Sequence, residues 1–242
     1  MGLPVVSKAD KRVEGARCLV TAAFGGSGHH RGQDRLLKSL DEIGYCGHKH
    51  VWRDETPPGC PTHNEVPYAF KTHMLSFAAS RGSNVLLWCD ASVWFVKTPD
   101  LVFDRIEKQG YYVAEVVSKH RLGTWCSDSA LHAVGFSRDE AMDITLVYGG
   151  FYGYNLDTDI GVALASLMMK HVLNGALIGD WNNDRGQVSS DARCRGHRHD
   201  QSILSAVAFR LGIEADRSPG MFMVDSYESR TEKTVAVCRG MA

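Results

Sequence analysis

The chain has no Cys-x-x-Cys pair, no long apolar run and no excess of charge of either sign. Each absence removes a class of function. The seven cysteines (Cys18, Cys46, Cys60, Cys89, Cys126, Cys194 and Cys238) are odd in number and scattered. That pattern fits reduced thiols in a cytosol-like compartment, and it lacks the usual zinc-finger spacings. No apolar stretch approaches the roughly 18–20 residues that cross a bilayer. The opening, MGLPVVSKADKRVEGAR, has no apolar centre of signal-peptide type. Met1-Gly2 is followed by Val6 where a myristoylation pattern wants Ser or Thr. A soluble, cytoplasmic protein without a transmembrane segment is expected. Lys and Arg number 27 against 28 Asp and Glu. A balanced chain argues against generic binding to nucleic acid or anionic membranes, which takes a basic surface.

What is present is a core-forming chain of 242 residues, 44% of them hydrophobic. Residues 1–16 read as a polar leader, and 17–242 as one domain. Cys18-Leu-Val-Thr-Ala-Ala-Phe24 is an apolar run ending in Gly25-Gly-Ser-Gly28, a strand followed by a glycine turn. Leu36, Leu37, Leu40 and Ile43 have helical spacing, and Gly44 stops that helix. His48 to Trp52 reads as a second strand, and the four prolines within 54–67 as a loop. A helix is predicted over 68–81 and the strongest strand over 84–89, running straight into Asp90. A short helix over 99–109 and a strand over 111–117 follow. Residues 118–135 are mixed, and 138–145 are helical. Tyr148 to Asn155 is a glycine-aromatic strand or turn. Helices are predicted over 157–174 and 200–211, with a polar loop over 179–198. Alternating strands and helices imply an α/β fold: a central, mostly parallel sheet flanked by helices.

Three segments invite chemistry, and each has a plain structural alternative. The Gly25–Gly28 turn fails the Walker pattern and, with Arg31 where a third glycine belongs, the dinucleotide fingerprint. It is either a tight turn or a phosphate cradle at a helix start. Asp90 stands at the C-terminal end of a buried strand, where open parallel sheets bind ligands. A carboxylate there can hold Mg²⁺ or Mn²⁺ against a diphosphate, or can be a loop acid. Asp200, in Arg193-Cys-Arg-Gly-His-Arg-His-Asp200-Gln-Ser, is the N-cap or a first-turn residue of a helix, or a base beside a basic loop. His197 and His199 form an His-x-His pair, a metal signal only if a third ligand joins it. In Gly149-Gly150-Phe151-Tyr152-Gly153, small residues allow close ligand approach, or mark a bulged edge strand.

In order, the glycine loop, Pro67-Tyr-Ala-Phe-Lys71, the strand into Asp90-Ala-Ser92, Gly149-Gly-Phe-Tyr-Gly153 and His199-Asp-Gln-Ser202 resemble the GT-A family of nucleotide-sugar glycosyltransferases. The resemblance spans roughly residues 17–212. It implies a single GT-A-like (Rossmann-like) domain and transfer of a sugar from a UDP- or GDP-type donor to a glycan or other hydroxyl acceptor. Asp90 matches the first acid of the family's Asp-x-Asp motif, the metal and diphosphate ligand, and Ser92 replaces the second. Gly149 and Gly150 match a loop that flanks the sugars. Thr21, Phe24, Lys71 and Arg198 are assigned with them to the donor site, Lys71 and Arg198 toward the diphosphate. Asp200 matches the catalytic base of inverting members. Mn²⁺ or Mg²⁺ is the implied cofactor, although no histidine follows Asp200 to complete a metal site. The rival readings are a nucleotide- or sugar-binding module without catalysis, and a nucleic-acid binder using the Arg193–Arg198 cluster.

Overall fold

The computed structural model describes residues 16–116, 120–217, 220–224 and 230–238. The leader residues 1–15 and Val117, at the end of a predicted strand, lie outside them. Five strands form the main sheet: β1 (Arg17–Ala23), β2 (His48–Arg53), β3 (Val85–Asp90), β5 (Tyr111–Glu115) and β6 (Val147–Asn155). Their order is β2-β1-β3-β6-β5. β1 is parallel to both β2 and β3, whereas β6 runs antiparallel to both β3 and β5. Four of the five strands therefore point the same way, as the α/β reading predicts.

Side chains alternate across this sheet and build a core on each face. Val20, Leu86, Trp88 and Tyr152 pack on one side. That face meets α2 (Ala69–Ser80), α6 (Asp159–Leu173) and α7 (His199–Arg210). Leu19, Leu87, Cys89 and Phe151 pack on the other, under α1 (Ser27–Glu42) and α3 (Asp100–Gln109). A strand covered on both faces reads as a continuous apolar run. That is why Val85-Leu-Leu-Trp-Cys89 was so legible.

Two expectations need correction. Gly149–Gly153 is not at an edge: β6 lies inside the sheet, between β3 and β5, and the irregularity is a register shift against β5, between Val113 and Glu115. Its glycines answer to neighbours, since a Cβ on Gly153 would come within 2.4 Å of the Leu86 carbonyl oxygen. The first helix also starts at Ser27 rather than near Gln33, taking in Ser27 and Gly28 of the predicted turn and leaving Gly25 and Gly26 before it. Gly32 is needed inside it, because a Cβ there would sit 2.6 Å from the Ala91 carbonyl oxygen.

The sequence reading also missed a second, three-stranded sheet, β4 (Val93–Phe95), β8 (Ala236–Cys238) and β7 (Phe222–Val224), in the order β4-β8-β7. It buttresses the end of β3. Phe222 stacks on Tyr148 and Phe151, with ring centroids 4.7 and 4.9 Å apart. Two short helices, α4 (Asp128–Val134) and α5 (Arg138–Asp143), complete the fold. Among the described residues no helix is long and apolar enough to cross a membrane.

Candidate functional site

β3 delivers Asp90 to the carboxyl end of the parallel strands, beside Gly150 of the neighbouring β6. Lys71, in the first turn of α2, reaches over the same edge. Its Nζ lies 2.9 Å from Asp90 Oδ1, 2.8 Å from Asp200 Oδ2 and 3.0 Å from the Gly149 carbonyl oxygen. An ammonium has three N–H donors, and three oxygens surround this one. The residue is only 3% exposed. Tyr68 and Trp88 add ring faces at 5.2 and 5.6 Å from Nζ.

The cluster holds two carboxylates and one ammonium, a formal charge of −1. Burial alone would lower the Lys71 ammonium, but Asp200 and Asp90 outweigh it and hold the ammonium above the ordinary lysine value. Burial pushes the Asp200 carboxyl up. Lys71 opposes that shift and Asp90 adds to it. Asp200 stays buried, and no side chain caps α7. Asp200 lies in the first turn of α7 rather than at its cap, and there it forms an ion pair that ties α7 to α2.

The two glycines predicted near the sugars are neighbours of these acids. A Cβ on Gly149 would lie 2.9 Å from Asp200 Oδ2, and one on Gly150 would lie 2.6 Å from Asp90 Oδ2. Either side chain would push on a carboxylate. Backbone strain collects here too. Tyr68 and His199, non-glycine residues just before Lys71 and Asp200 in the chain, have φ of 61° and 44°. Such conformations cost on the order of 1–3 kcal/mol and persist where packing over-determines them.

The other predicted positions spread outward. Phe24 follows β1 and packs on Phe70, next to Lys71, with ring centroids 4.7 Å apart. Thr21 is fully buried within β1 and its hydroxyl has no partner. Ser92 shares a hydrogen bond of 3.2 Å with the Cys238 thiol, and that sulfur lies 3.0 Å from the Tyr148 hydroxyl. Arg198 makes no ion pair with either acid and is clamped between Trp125 and Trp181.

The donor set for a divalent ion is thin. Asp90 Oδ1 is taken by Lys71 and by Trp88 Nε1, the latter at 2.7 Å. Asp90 Oδ2 has no hydrogen-bond partner among the described residues. The His197 and His199 rings do not share a ligand position. Each has a nitrogen at a carbonyl oxygen, of Ala176 at 3.1 Å and of Leu177 at 2.9 Å. Among the described residues no group of three or more His, Cys, Asp or Glu side chains could hold a metal. Mg²⁺-like ions keep several waters and use one or two carboxylates plus substrate phosphates. One open carboxylate oxygen in a pocket of charge −1 fits an ion shared with a diphosphate. It does not make a resident cage.

In the Arg193–Arg198 segment the charge is partly offset. Arg193 is neutralised by Asp139 and Asp191, each at 2.7 Å. A cavity of about 520 Å³ lies at the C-terminal ends of β5 and α7, lined by Glu115, Phe209 and Asp216 among others. It touches neither Asp90 nor Lys71.

No family model matches the chain, and no curated protein matches it. A solved structure does: the crystal structure of a glycosyltransferase involved in the glycosylation of the major capsid of PBCV-1. It superposes with a TM-score of 0.52 at 9% identity, covering 92% of each chain. At that identity the likeness is one of fold, and the chain has the α/β fold of that glycosyltransferase over nearly its whole length.

Proposed function

We propose that this protein is a glycosyltransferase that moves a sugar from a nucleotide-diphosphate donor to an acceptor hydroxyl. The observation that carries the reading is the buried Asp90–Lys71–Asp200 cluster at the carboxyl edge of β3. It opens onto two glycines in a fold shared with a glycosyltransferase.

In this reading Asp90 faces the leaving diphosphate and Asp200 faces the acceptor. Asp200 accepts the proton of the acceptor hydroxyl as that oxygen attacks the anomeric carbon. The bond from that carbon to the diphosphate oxygen breaks, and the configuration inverts. A carboxylate raised by burial suits this task, because a base works best with a pKa nearer the working pH. Lys71 keeps both acids at a fixed distance and offsets one of their two charges. Gly149 and Gly150 leave room for the two carboxylates beside them. Asp90 Oδ2 would hold Mn²⁺ or Mg²⁺, which supplies positive charge to the departing diphosphate.

A second reading, a nucleotide- or sugar-binding module without turnover, draws on Ser92 in place of an acid and on the thin donor set. A thermal-shift panel of UDP, GDP and their sugar conjugates, with and without Mn²⁺, tests what the two share. A ligand at about 100 times its Kd adds roughly 2.7 kcal/mol of stability. A matching nucleotide should raise the melting temperature, more so with Mn²⁺. No shift with any nucleotide would remove both readings. Binding with slow release of nucleoside diphosphate from the sugar conjugate would single out the enzyme.

A further inference from the structure

Arg198 is the cation that the cluster does not use. Its Cζ lies 3.9 Å from the Trp125 ring centroid and 3.8 Å from the Trp181 ring centroid, so the guanidinium is sandwiched between two indoles. Its one side-chain hydrogen bond is a long one, Nη1 to the Trp181 carbonyl oxygen at 3.4 Å. No carboxylate among the described residues lies within ion-pair distance of it, whereas Arg17, Arg53, Arg105, Arg138 and Arg193 all have one. The faces of the guanidinium are covered by rings and its edge keeps unused donors. A planar fork of N–H groups matches a carboxylate or phosphate edge-on.

The clamp is built before any ligand arrives. Asn183 bonds the carbonyls of Ser189 and Cys194 and accepts from the amides of Val188 and Ser189. Arg195 N donates to the Thr124 carbonyl at 2.8 Å, and Arg198 N to the Trp125 carbonyl at 3.1 Å. Gly196 permits a close approach, since a Cβ there would lie 2.0 Å from the Trp181 carbonyl oxygen. Trp181 remains 47% exposed.

A ladder of rings joins this clamp to the cluster. Trp181 lies 5.6 Å from His199, His199 lies 5.4 Å from Tyr68, and Tyr68 lies 5.2 Å from Lys71 Nζ. The remaining charged and titratable neighbours are His120, edge-on to Trp125, and the exposed Arg195 and Asp180. An exposed indole face gives a sugar ring an apolar surface to lie on.

We infer that the Trp125–Arg198–Trp181 clamp is the acceptor subsite, and that it takes a saccharide bearing an oxyanion, a carboxylate or a phosphate. The inference rests on the glycosyltransferase reading for the word acceptor. It moves Arg198 from the donor diphosphate to the acceptor.

The test is binding to the full chain, read by calorimetry and tryptophan fluorescence. The probes are a glucuronate-terminated disaccharide, its neutral glucose-terminated counterpart and glucose 6-phosphate. UDP and GDP with Mn²⁺ are titrated separately. At least one anionic probe should bind about tenfold or more tighter than the neutral one, the worth of a hydrogen-bonded charge. The comparison of glucuronate with phosphate identifies the anion. Arg198→Gln keeps a flat amide between the rings and should abolish that preference, with nucleoside diphosphate affinity unchanged. Trp181→Ala should weaken neutral and anionic probes alike. Equal binding of neutral and anionic probes by the wild type overturns the inference, and that comparison stands even if a variant fails to fold. Lost nucleoside diphosphate affinity in folded Arg198→Gln also overturns it, returning the residue to the donor. Nucleotide binding without saccharide binding ends the subsite and leaves the glycosyltransferase reading. The reverse pattern keeps the subsite and ends that reading.

Discussion

Lys71 and Arg198 stand at the inner and outer ends of one aromatic stack, and their surroundings differ in kind. The lysine is sealed, hydrogen-bonded to the Gly149 carbonyl and ion-paired with two carboxylates. The arginine is held by ring faces and by one long hydrogen bond, with no acid beside it. A compact ammonium in a buried site needs its charge matched by fixed oxygens. A weakly hydrated, planar guanidinium can stay charged between indoles and keep its edge for something else. The inner cation thus sets the electrostatics of the two acids, and the outer one is available for recognition.

Four substitutions or titrations break or sharpen that contrast. The largest effect belongs to Asp200→Asn. Asparagine keeps the shape but cannot take a proton, so transfer should fall by roughly 10²–10⁴-fold, the usual worth of a general base. The structure adds a cost in stability that a helix cap would not show. Lys71 would lose a charged partner, a bond worth on the order of 1.5–3 kcal/mol. Chemical denaturation beside kcat separates the two effects. A variant that transfers at the wild-type rate removes Asp200 from the chemistry.

Lys71→Met comes next. It leaves Asp90 and Asp200 without their shared cation, and breaking a buried pair costs about 3–5 kcal/mol. The denaturation midpoint should drop accordingly. A change within about 0.5 kcal/mol, typical of a surface site, would mean the lysine is not sealed as described. Asp90→Asn follows. It should weaken nucleoside diphosphate binding more with Mn²⁺ than without, measured by calorimetry under both conditions. Equal affinities in saturating Mn²⁺ would take Asp90 away from the leaving group.

The smallest effect near neutral pH comes from His197, which supports the loop behind the clamp. Burial, with His199 second, lowers its pKa from the model-peptide range near 6.5 to about 3. A depressed native value means that the unfolded chain binds a proton the native one refuses. Stability from this group is therefore intact above pH 6.5 and is lost as pH falls toward 3, at up to about 1.4 kcal/mol per pH unit. The slope of stability against pH in that window should flatten in His197→Gln. An unchanged slope would show that the ring is not held neutral.

Much of the frame was readable from local pattern. The apolar run of β3 ending in Asp90 announced both the central strand and the acid at its tip. The 3.6-residue spacing of Leu36, Leu40 and Ile43 announced α1. Its start does not follow from the pattern, because Gly25-Gly-Ser-Gly28 reads as a turn and nothing local shows that Gly32 lies inside the helix, against the Ala91 carbonyl. β4, β7 and β8 have three residues each, too few to show a period, and β4 pairs with a strand some 140 residues further on. The acids were found one by one, but their tie was not. Lys71 meets Asp200 across 129 positions of sequence, and nothing local marks a lysine as buried. The clamp is of the same kind, with Trp125, Trp181 and Arg198 drawn together from segments that read as mixed or polar.

The central claim is that the Asp90–Lys71–Asp200 cluster drives sugar transfer. It is tested most directly by following nucleoside diphosphate release from a panel of UDP- and GDP-sugars with Mn²⁺. Wild type and Asp200→Asn are compared at concentrations where both bind the nucleotide. The account predicts release by the wild type, stimulated by an acceptor saccharide, and a loss of about 10²-fold or more in the variant. Equal rates in the two proteins, or nucleotide binding with no release from any sugar conjugate, would contradict it.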